Sequence, residues 1–336
     1  MPEPDPEPSP TVTGSVTAAI VTYHPDPGEI SRVIEKAADQ VRHIAIIENS
    51  GDSHHQGAMR GVAAAAKTAS PHVTVDLVVN ESNLGLSKGC NQAISLARSR
   101  GSKFVLLLDQ DSELRPNAVA RLVEAYDAIS SVHRLGSISC VNDERYPVDL
   151  APLVVLDRLR ETFQTRRPET GHTLKHRLGY EVLTFTNSGT LIPLSVLDTV
   201  GGLNEDLFVD AIDYDFSLRL RFDGYHCFLC PQAQIDHKQG SPFRRRLLRR
   251  EVRLRSYSPA RSYLIVKDTI VCARLWISKF PSTVLSFLLF MSVGTVGGLV
   301  LLPGHRDRAR AVVAGLYDGG HSDVGRTMER PRISAS

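Results

Sequence analysis

An α/β fold, with a mostly parallel sheet flanked by helices, is what this sequence predicts, and three observations predict it. Short apolar or β-branched runs alternate with helical patterns through the first third of the chain. Those runs are apolar on both faces, as strands covered by helices above and below must be. Each run also ends in polar residues, at the strand ends where an open α/β sheet binds its ligands. With 336 residues, 42% hydrophobic and 23% charged, the chain can bury the core such a fold needs.

Residues 16–22 form the first strand, which runs into Tyr23, His24 and Pro25 and then into a helical pattern over 27–41. Residues 43–48 repeat the strand pattern and break at Asn49, Ser50 and Gly51. A third strand, 73–79, ends at Asn80; residues 91–99 read as a helix; residues 104–108 are a wholly apolar strand ending in Asp109. Turn chemistry explains any one polar strand end. Four in succession point to a ligand cleft.

The carboxylates at that cleft carry the chemistry. Asp109 and Asp111 follow a buried strand two residues apart, a spacing that turns both side chains the same way on extended backbone. Paired oxygen ligands of this kind suit a hard divalent cation on a diphosphate. The segment 83–91, AsnLeuGlyLeuSerLysGlyCysAsn, opens a helix whose glycines and N-terminal N–H groups suit an anion or the edge of a nucleotide, with Lys88 among them. It is neither GxGxxG nor a P-loop. Asp210, Asp213 and Asp215 crowd the start of a further helix, more acids than its N-terminus requires. One of them, ionised, can act as a general base. His237 follows another strand, where a histidine is a structural group or a ligand according to its neighbours.

The two ends differ in character. Residues 1–14 are Pro- and Glu-rich and read as a disordered tail. The net charge of +2 hides a basic C-terminal third, with 18 Lys/Arg against 6 Asp/Glu from His237 onward, which suits anionic partners. Within it lie 21 uncharged residues, 282–302, long enough to span a bilayer, to lie in its surface, or to form a buried core helix. Five cysteines without a secretory signal read as a reduced, cytosolic set, and the CxxC at Cys227 and Cys230 lacks a second pair to complete a zinc site. A dehydrogenase would share the strand and helix alternation, but no glycine fingerprint follows the first strand.

Taken in order, these segments resemble the family 2 glycosyltransferases, and among them the bacterial rhamnosyltransferases of cell-envelope polysaccharide synthesis. The residues that carry the resemblance are ThrTyrHis at 22–24, GluAsn at 48–49, the 83–91 segment, AspGlnAspSer at 109–112 and ThrAsnSerGlyThrLeuIlePro at 186–193. PheValAspAlaIleAspTyrAspPhe at 208–216, HisLysGlnGlySer at 237–241 and TyrSerProAlaArgSerTyr at 257–263 complete it. The resemblance implies a GT-A fold over residues 15–245, a helical membrane-associating extension over 246–320 and a flexible tail over 321–336. It implies Mg²⁺ or Mn²⁺ on Asp109, Asp111 and His237, and Asp213 as catalytic base. Thr22, Tyr23, Glu48, Asn83, Lys88, Asp109 and Gln110 would meet the nucleotide sugar, with Glu48 standing where many relatives have Asp. Asn187, Ser188, Gly189 and Asp210 would meet the acceptor. The donor expected is dTDP-L-rhamnose, the acceptor a lipid-linked or polysaccharide glycan, and the place the cytoplasmic face of a bacterial membrane. Arginines within 246–255 would meet lipid diphosphate or anionic headgroups. A homo-oligomer fits the resemblance, and a nucleic-acid partner does not. Two alternatives stay open: a galactofuranosyl or other hexosyl enzyme using a UDP-sugar, and a catalytically degenerate sugar-nucleotide-binding protein.

Overall fold

The computed structural model describes residues 15–142, 175–185, 187–237, 242–247, 250–255 and 257–323. The tail expected over 1–14, and the part of the C-terminal tail beyond Asp323, lie outside the described residues. The N-terminal half alternates as its pattern requires: β1 (Val16–Thr22), α1 (Pro27–Ala38), β2 (His43–Glu48), α2 (Ser53–Ala69), β3 (Thr74–Val79), α3 (Leu86–Ser99) and β4 (Phe104–Asp109). Then come β5 (Ser112–Leu114), α4 (Ala118–Ser130), β6 (Leu135–Asn142), β7 (Lys175–His176), β8 (Gly179–Val182), β9 (Thr190–Pro193), α5 (Leu194–Val200), α6 (Ile212–Phe222) and β10 (His226–His237). The C-terminal part holds β11 (Pro242–Leu247), β12 (Arg250–Arg255), α7 (Pro259–Trp276), α8 (Pro281–Leu301) and α9 (His305–His321).

The main sheet runs β3-β2-β1-β4-β9-β6-β10-β8-β7, with β5 paired to β10. It is mixed where the sequence suggested mostly parallel pairing. Strands β3, β2, β1 and β4 are mutually parallel, as are β6 and β10. β9 is antiparallel to both β4 and β6, and β8 and β5 are antiparallel to β10. Parallel register puts Thr22 opposite Glu48, Glu48 opposite Val79, and Val21 opposite Asp109, so the polar strand ends form one row.

Period-two alternation sends each strand's apolar residues to two cores. Ala18, Ile20, Ile44, Ile46, Leu106 and Leu108 pack under α1, α2 and α4. Ala19, Ala45, Ile47, Val105 and Leu107 pack under α3, α5, α6 and α7. The five cysteines are all buried and free, and burial pushes the Cys227 thiol up to about 11, which fits inert packing residues.

Helix α3 starts at Leu86, five residues before the start expected from its pattern. Gly85 explains the difference. Its φ of 88° is left-handed, and a Cβ there would meet the Phe208 carbonyl oxygen at 2.8 Å, so only glycine lets the helix begin against the loop between α5 and α6. Leu86 N–H donates to the same carbonyl at 2.6 Å, and the Ser87 hydroxyl donates to the Leu207 carbonyl at 2.7 Å. The loop leading into α6 is thereby fixed to the start of α3.

Within the basic run, β11 and β12 pair antiparallel as a separate two-stranded sheet. Helix α9 lies along α7, tied by the Tyr263 hydroxyl to Asp318 at 2.7 Å and by Arg274 to the Gly319 carbonyl at 2.8 Å. Helix α8 is not a core helix. Only Val284 and Phe287 of its 21 residues are buried, whereas Leu285, Leu289, Val293, Val296 and Val300 are exposed. It is long and apolar enough to cross a membrane, with a mean hydropathy of 2.2 over its most apolar 18 residues.

Candidate active site

The fold brings Asp109, Asp111 and His237 together from β4, the turn after it and the end of β10, with ligand atoms all within 4.8 Å of one another. Antiparallel pairing of β10 with β5 sets His237 opposite Ser112. His237 Nδ1 is 2.6 Å from the Ser112 hydroxyl and 3.3 Å from Asp111 Oδ1. Behind it, the Ser188 hydroxyl donates to Ser112 Oγ at 2.6 Å and accepts the Asp109 N–H at 3.1 Å. Buried Ser112 and Ser188 therefore link the His237 ring to the backbone at Asp109. Ser112 lies inside the segment that pointed to the site, but a serine after two aspartates reads as an ordinary turn residue.

Burial raises the Asp109 carboxyl above its ordinary range, and Asp111 adds to the rise, while His237 and Asn187 oppose it. Such a site is short of positive charge. The Asn187 amide nitrogen is the atom turned toward the cluster, 3.5 Å from Asp109 Oδ1, and its side-chain oxygen is buried without a hydrogen-bond partner. Two carboxylates and an imidazole fit a divalent cation that tolerates nitrogen as well as oxygen ligands.

Across the cleft, α6 presents Asp213 from its first turn, after Ala211 in a left-handed conformation at φ 56°. Asp213 Oδ1 accepts the Tyr214 N–H at 2.9 Å. Burial, then the neighbouring charge of Asp210, then that of Asp109, push the Asp213 carboxyl up to about 7. A carboxylate tuned there accepts a proton far more readily at neutral pH than an ordinary aspartate.

The C-terminal helices hold this acid from behind. Asp268 of α7 is fully buried and its Oδ2 accepts the N–H groups of Val209 at 2.9 Å and Asp210 at 3.0 Å. Arg261 reaches Asp210 at 3.3 Å. Asp215 is not part of the cleft: it pairs with Arg219 and accepts the Trp276 indole N–H at 2.8 Å. Tyr214 stacks on Phe287 of α8 with ring centroids 3.9 Å apart and donates its hydroxyl to the Thr283 carbonyl at 2.9 Å. Sequence reading missed Asp268, because a Lys-Asp pair inside a helix reads as solvated surface.

The remaining expected residues fall into two groups. Tyr23 is 49% exposed at the strand end, and its N–H donates to the Gln110 side chain at 2.8 Å. Lys88 is exposed on the first turn of α3. Asn83 accepts the Gly85 N–H at 2.9 Å and an Asn49 amide hydrogen at 3.0 Å, which shapes the loop before that helix. Thr22 and Glu48, by contrast, are both fully buried and face each other, the hydroxyl donating to Glu48 Oε2 at 2.6 Å. Glu48 Oε1 also accepts the Ser50 N–H at 2.6 Å. The extra methylene of Glu lets this carboxylate brace the β1 and β2 ends from beneath. Gly189 sits inside the sheet, donating to Leu107 and accepting from Cys140 through its backbone, both at 2.8 Å. Its φ of 76°, with Cys140 Cβ only 3.0 Å from where a side chain would start, makes glycine necessary there.

A mixed α/β sheet of GT-A type, with a carboxylate and imidazole cluster at the end of β4 and a raised acid facing it, has the layout of a glycosyltransferase. Residues 18–201 match the profile of Glycosyl transferase family 2, and the chain belongs to that family. It is 20% identical over 263 residues to the dTDP-rhamnosyl transferase RfbF of Shigella flexneri, covering 78% of this chain and 81% of that one. Among solved structures, it is similar to the mannosyltransferase PcManGT of Pyrobaculum calidifontis in complex with GDP-Man and Mn²⁺. The TM-score is 0.57 at 15% identity, over 96% of this chain and 90% of the other. Staphylococcus aureus TarS in complex with UDP-GlcNAc gives a TM-score of 0.55 at 14% identity, over 91% and 80% of the two chains. GalNAc-T7 with UDP, GalNAc and Mn²⁺ gives 0.55 at 14%, over 96% of this chain and 59% of the other.

Proposed function

We propose that this protein is an inverting, metal-dependent glycosyltransferase that moves L-rhamnose from dTDP-L-rhamnose to a lipid-linked or polysaccharide acceptor at the cytoplasmic face of a bacterial membrane. The observation that carries the reaction class is Asp213, an acid pushed up to about 7 and set opposite the cluster of Asp109, Asp111 and His237. The similarity to a dTDP-rhamnosyl transferase supports the sugar, and the exposed apolar α8 supports the membrane.

Asp109, Asp111 and His237 would hold Mn²⁺ or Mg²⁺, whose charge offsets that of the departing nucleoside diphosphate. Ser112 fixes the His237 ring, and Ser188 ties Ser112 to the backbone at Asp109. Tyr23 and Gln110 border the donor side, Lys88 offers a cation to the diphosphate, and Asn187 and Asp210 border the acceptor side. Asp213 takes the proton of the acceptor hydroxyl as that oxygen bonds to the anomeric carbon, and the bond from that carbon to the diphosphate oxygen breaks. One displacement inverts the anomeric centre. Asp268 and Arg261 hold the segment from Val209 to Asp210, so the base stands on a backbone fixed from two sides.

A donor screen tests the reading. Purified protein is incubated with Mn²⁺ or Mg²⁺, a panel of nucleotide sugars and a membrane-lipid extract, and released nucleoside diphosphate is measured. Release from dTDP-L-rhamnose that needs both metal and extract supports the proposal. Release from UDP-sugars alone reassigns the donor, and binding without release across the panel replaces the enzyme with a binding protein.

A further inference from the structure

A second group of metal-ligating side chains lies outside the cluster at Asp109. His24 follows β1, Asp52 caps α2, and His55 stands in the first turn of α2. His24 Nδ1 and His55 Nδ1 are 3.3 Å apart, His55 Nδ1 and Asp52 Oδ2 2.8 Å, and His24 Nδ1 and Asp52 Oδ2 3.7 Å. A circle through these three atoms has a radius of about 1.9 Å, so an ion at the usual zinc distance of about 2.1 Å from each fits just off their plane. The three donors then occupy one side of the ion and leave a fourth position open.

Helix capping accounts for part of this arrangement. Asp52 accepts the His55 N–H at 3.0 Å, an ordinary N-cap bond. It does not account for His24, which comes from a different element and turns the same ring nitrogen toward the same point. The His24 backbone is left-handed at φ 45°, and its N–H donates to the Ser50 hydroxyl at 2.8 Å. The His24 and His55 rings meet edge to face at 4.6 Å. The group is open to solvent, with the His24 side chain 46% and the Asp52 side chain 42% exposed.

We propose that His24, Asp52 and His55 form a second metal site, selective for a borderline-soft divalent ion such as Zn²⁺. Two imidazoles and one carboxylate suit Zn²⁺ and rank Mg²⁺ low, the opposite preference to an oxygen-rich site. An ion there pins the turn after β1 to the start of α2. Tyr23 is the next residue to His24, and its N–H is bonded to Gln110, between Asp109 and Asp111. The second ion thus steadies the donor-side rim. The inference rests on these three side chains and not on the identity of the donor sugar.

The test uses the full-length, tag-free chain in detergent, stripped with EDTA and carrying Asp111→Ala and His237→Ala to disable the first cluster. Zn²⁺ is titrated in competition with a chromogenic chelator, and Co²⁺ is added separately to read its visible absorption. One Zn²⁺ per chain and the intense bands of low-coordinate Co²⁺ are expected. Further change of His24→Asn, a residue that tolerates left-handed backbone, or of His55→Ala should weaken Zn²⁺ at least about tenfold, the lower end of what losing even an outer partner costs. Equal Zn²⁺ affinity with and without His24→Asn, or no Zn²⁺ held against the chelator, overturns the proposal.

Discussion

Replacing Asp213 with Asn separates what this side chain does for the reaction from what it does to the fold. The substitution keeps volume and the Tyr214 N–H bond to the side-chain oxygen but removes the ionisable proton. In the native chain the carboxyl is raised from 3.8 to about 7. A folded-state value above the unfolded one means that the native state binds the proton more tightly. Its contribution to stability is complete below about pH 4 and is lost as pH climbs through 7. Three units at about 1.4 kcal/mol each set a ceiling near 4 kcal/mol. Water reaches the half-buried side chain, which brings the value to roughly 1–3 kcal/mol. Asn carries no such penalty. Melting scans in EDTA should therefore show Asp213→Asn more stable than the parent by roughly 2–6 °C at pH 8.5 and by only about a third of that at pH 5, where the unfolded carboxyl is ionised and the native one is not. Transfer activity should fall by about 10² to 10⁴, the range for loss of a general base, while donor binding persists. A stability gain equal at both pH values would refute the burial argument, and an active Asn variant would remove Asp213 as the base.

Two further perturbations address the cation cluster and the membrane helix. Asp111→Ala and His237→Ala should each raise the Mn²⁺ concentration needed for half-maximal activity by at least about tenfold; an unchanged Mn²⁺ titration removes that residue from the site. Leu289→Lys and Val296→Lys change exposed residues of α8 and leave its contacts with Tyr214 alone. At about 3 kcal/mol for a lysine deep in a spanning helix, each should release the protein from lipid vesicles with an unchanged circular dichroism spectrum. Undiminished pelleting would instead make the basic β11 and β12 pair the anchor.

The parts of this fold that were legible in the sequence are those whose signal is local. β1, β2 and β4 are apolar on both faces and end in polar residues, so their pattern fixes both the strands and the row of ligand-facing ends. The spacing of Asp109 and Asp111 marked the pair, but Gln110 and Asp111 form a turn after β4 and not extended backbone, so the geometry that brings them together was not the one the spacing suggested. Helix α2 left no such signal: glycines and a run of alanines give it little periodicity, and only Met59 and Ala63 are buried. The antiparallel strands β8 and β9 have four residues each, too few for alternation to show. The inward turn of Glu48 and the grip of Asp268 on the Asp210 backbone depend on contacts between distant segments. No window along the chain contains both partners.

The stereochemistry of the product tests the central claim most directly. With dTDP-L-rhamnose, Mn²⁺ and acceptor, the anomeric configuration of the new linkage is read by NMR for the parent chain and for Asp213→Asn. The account expects a configuration opposite to that of the donor, formed by the parent and not by the variant. A linkage that retains the donor's configuration, or equal product from Asp213→Asn, would contradict a single displacement with Asp213 as its base.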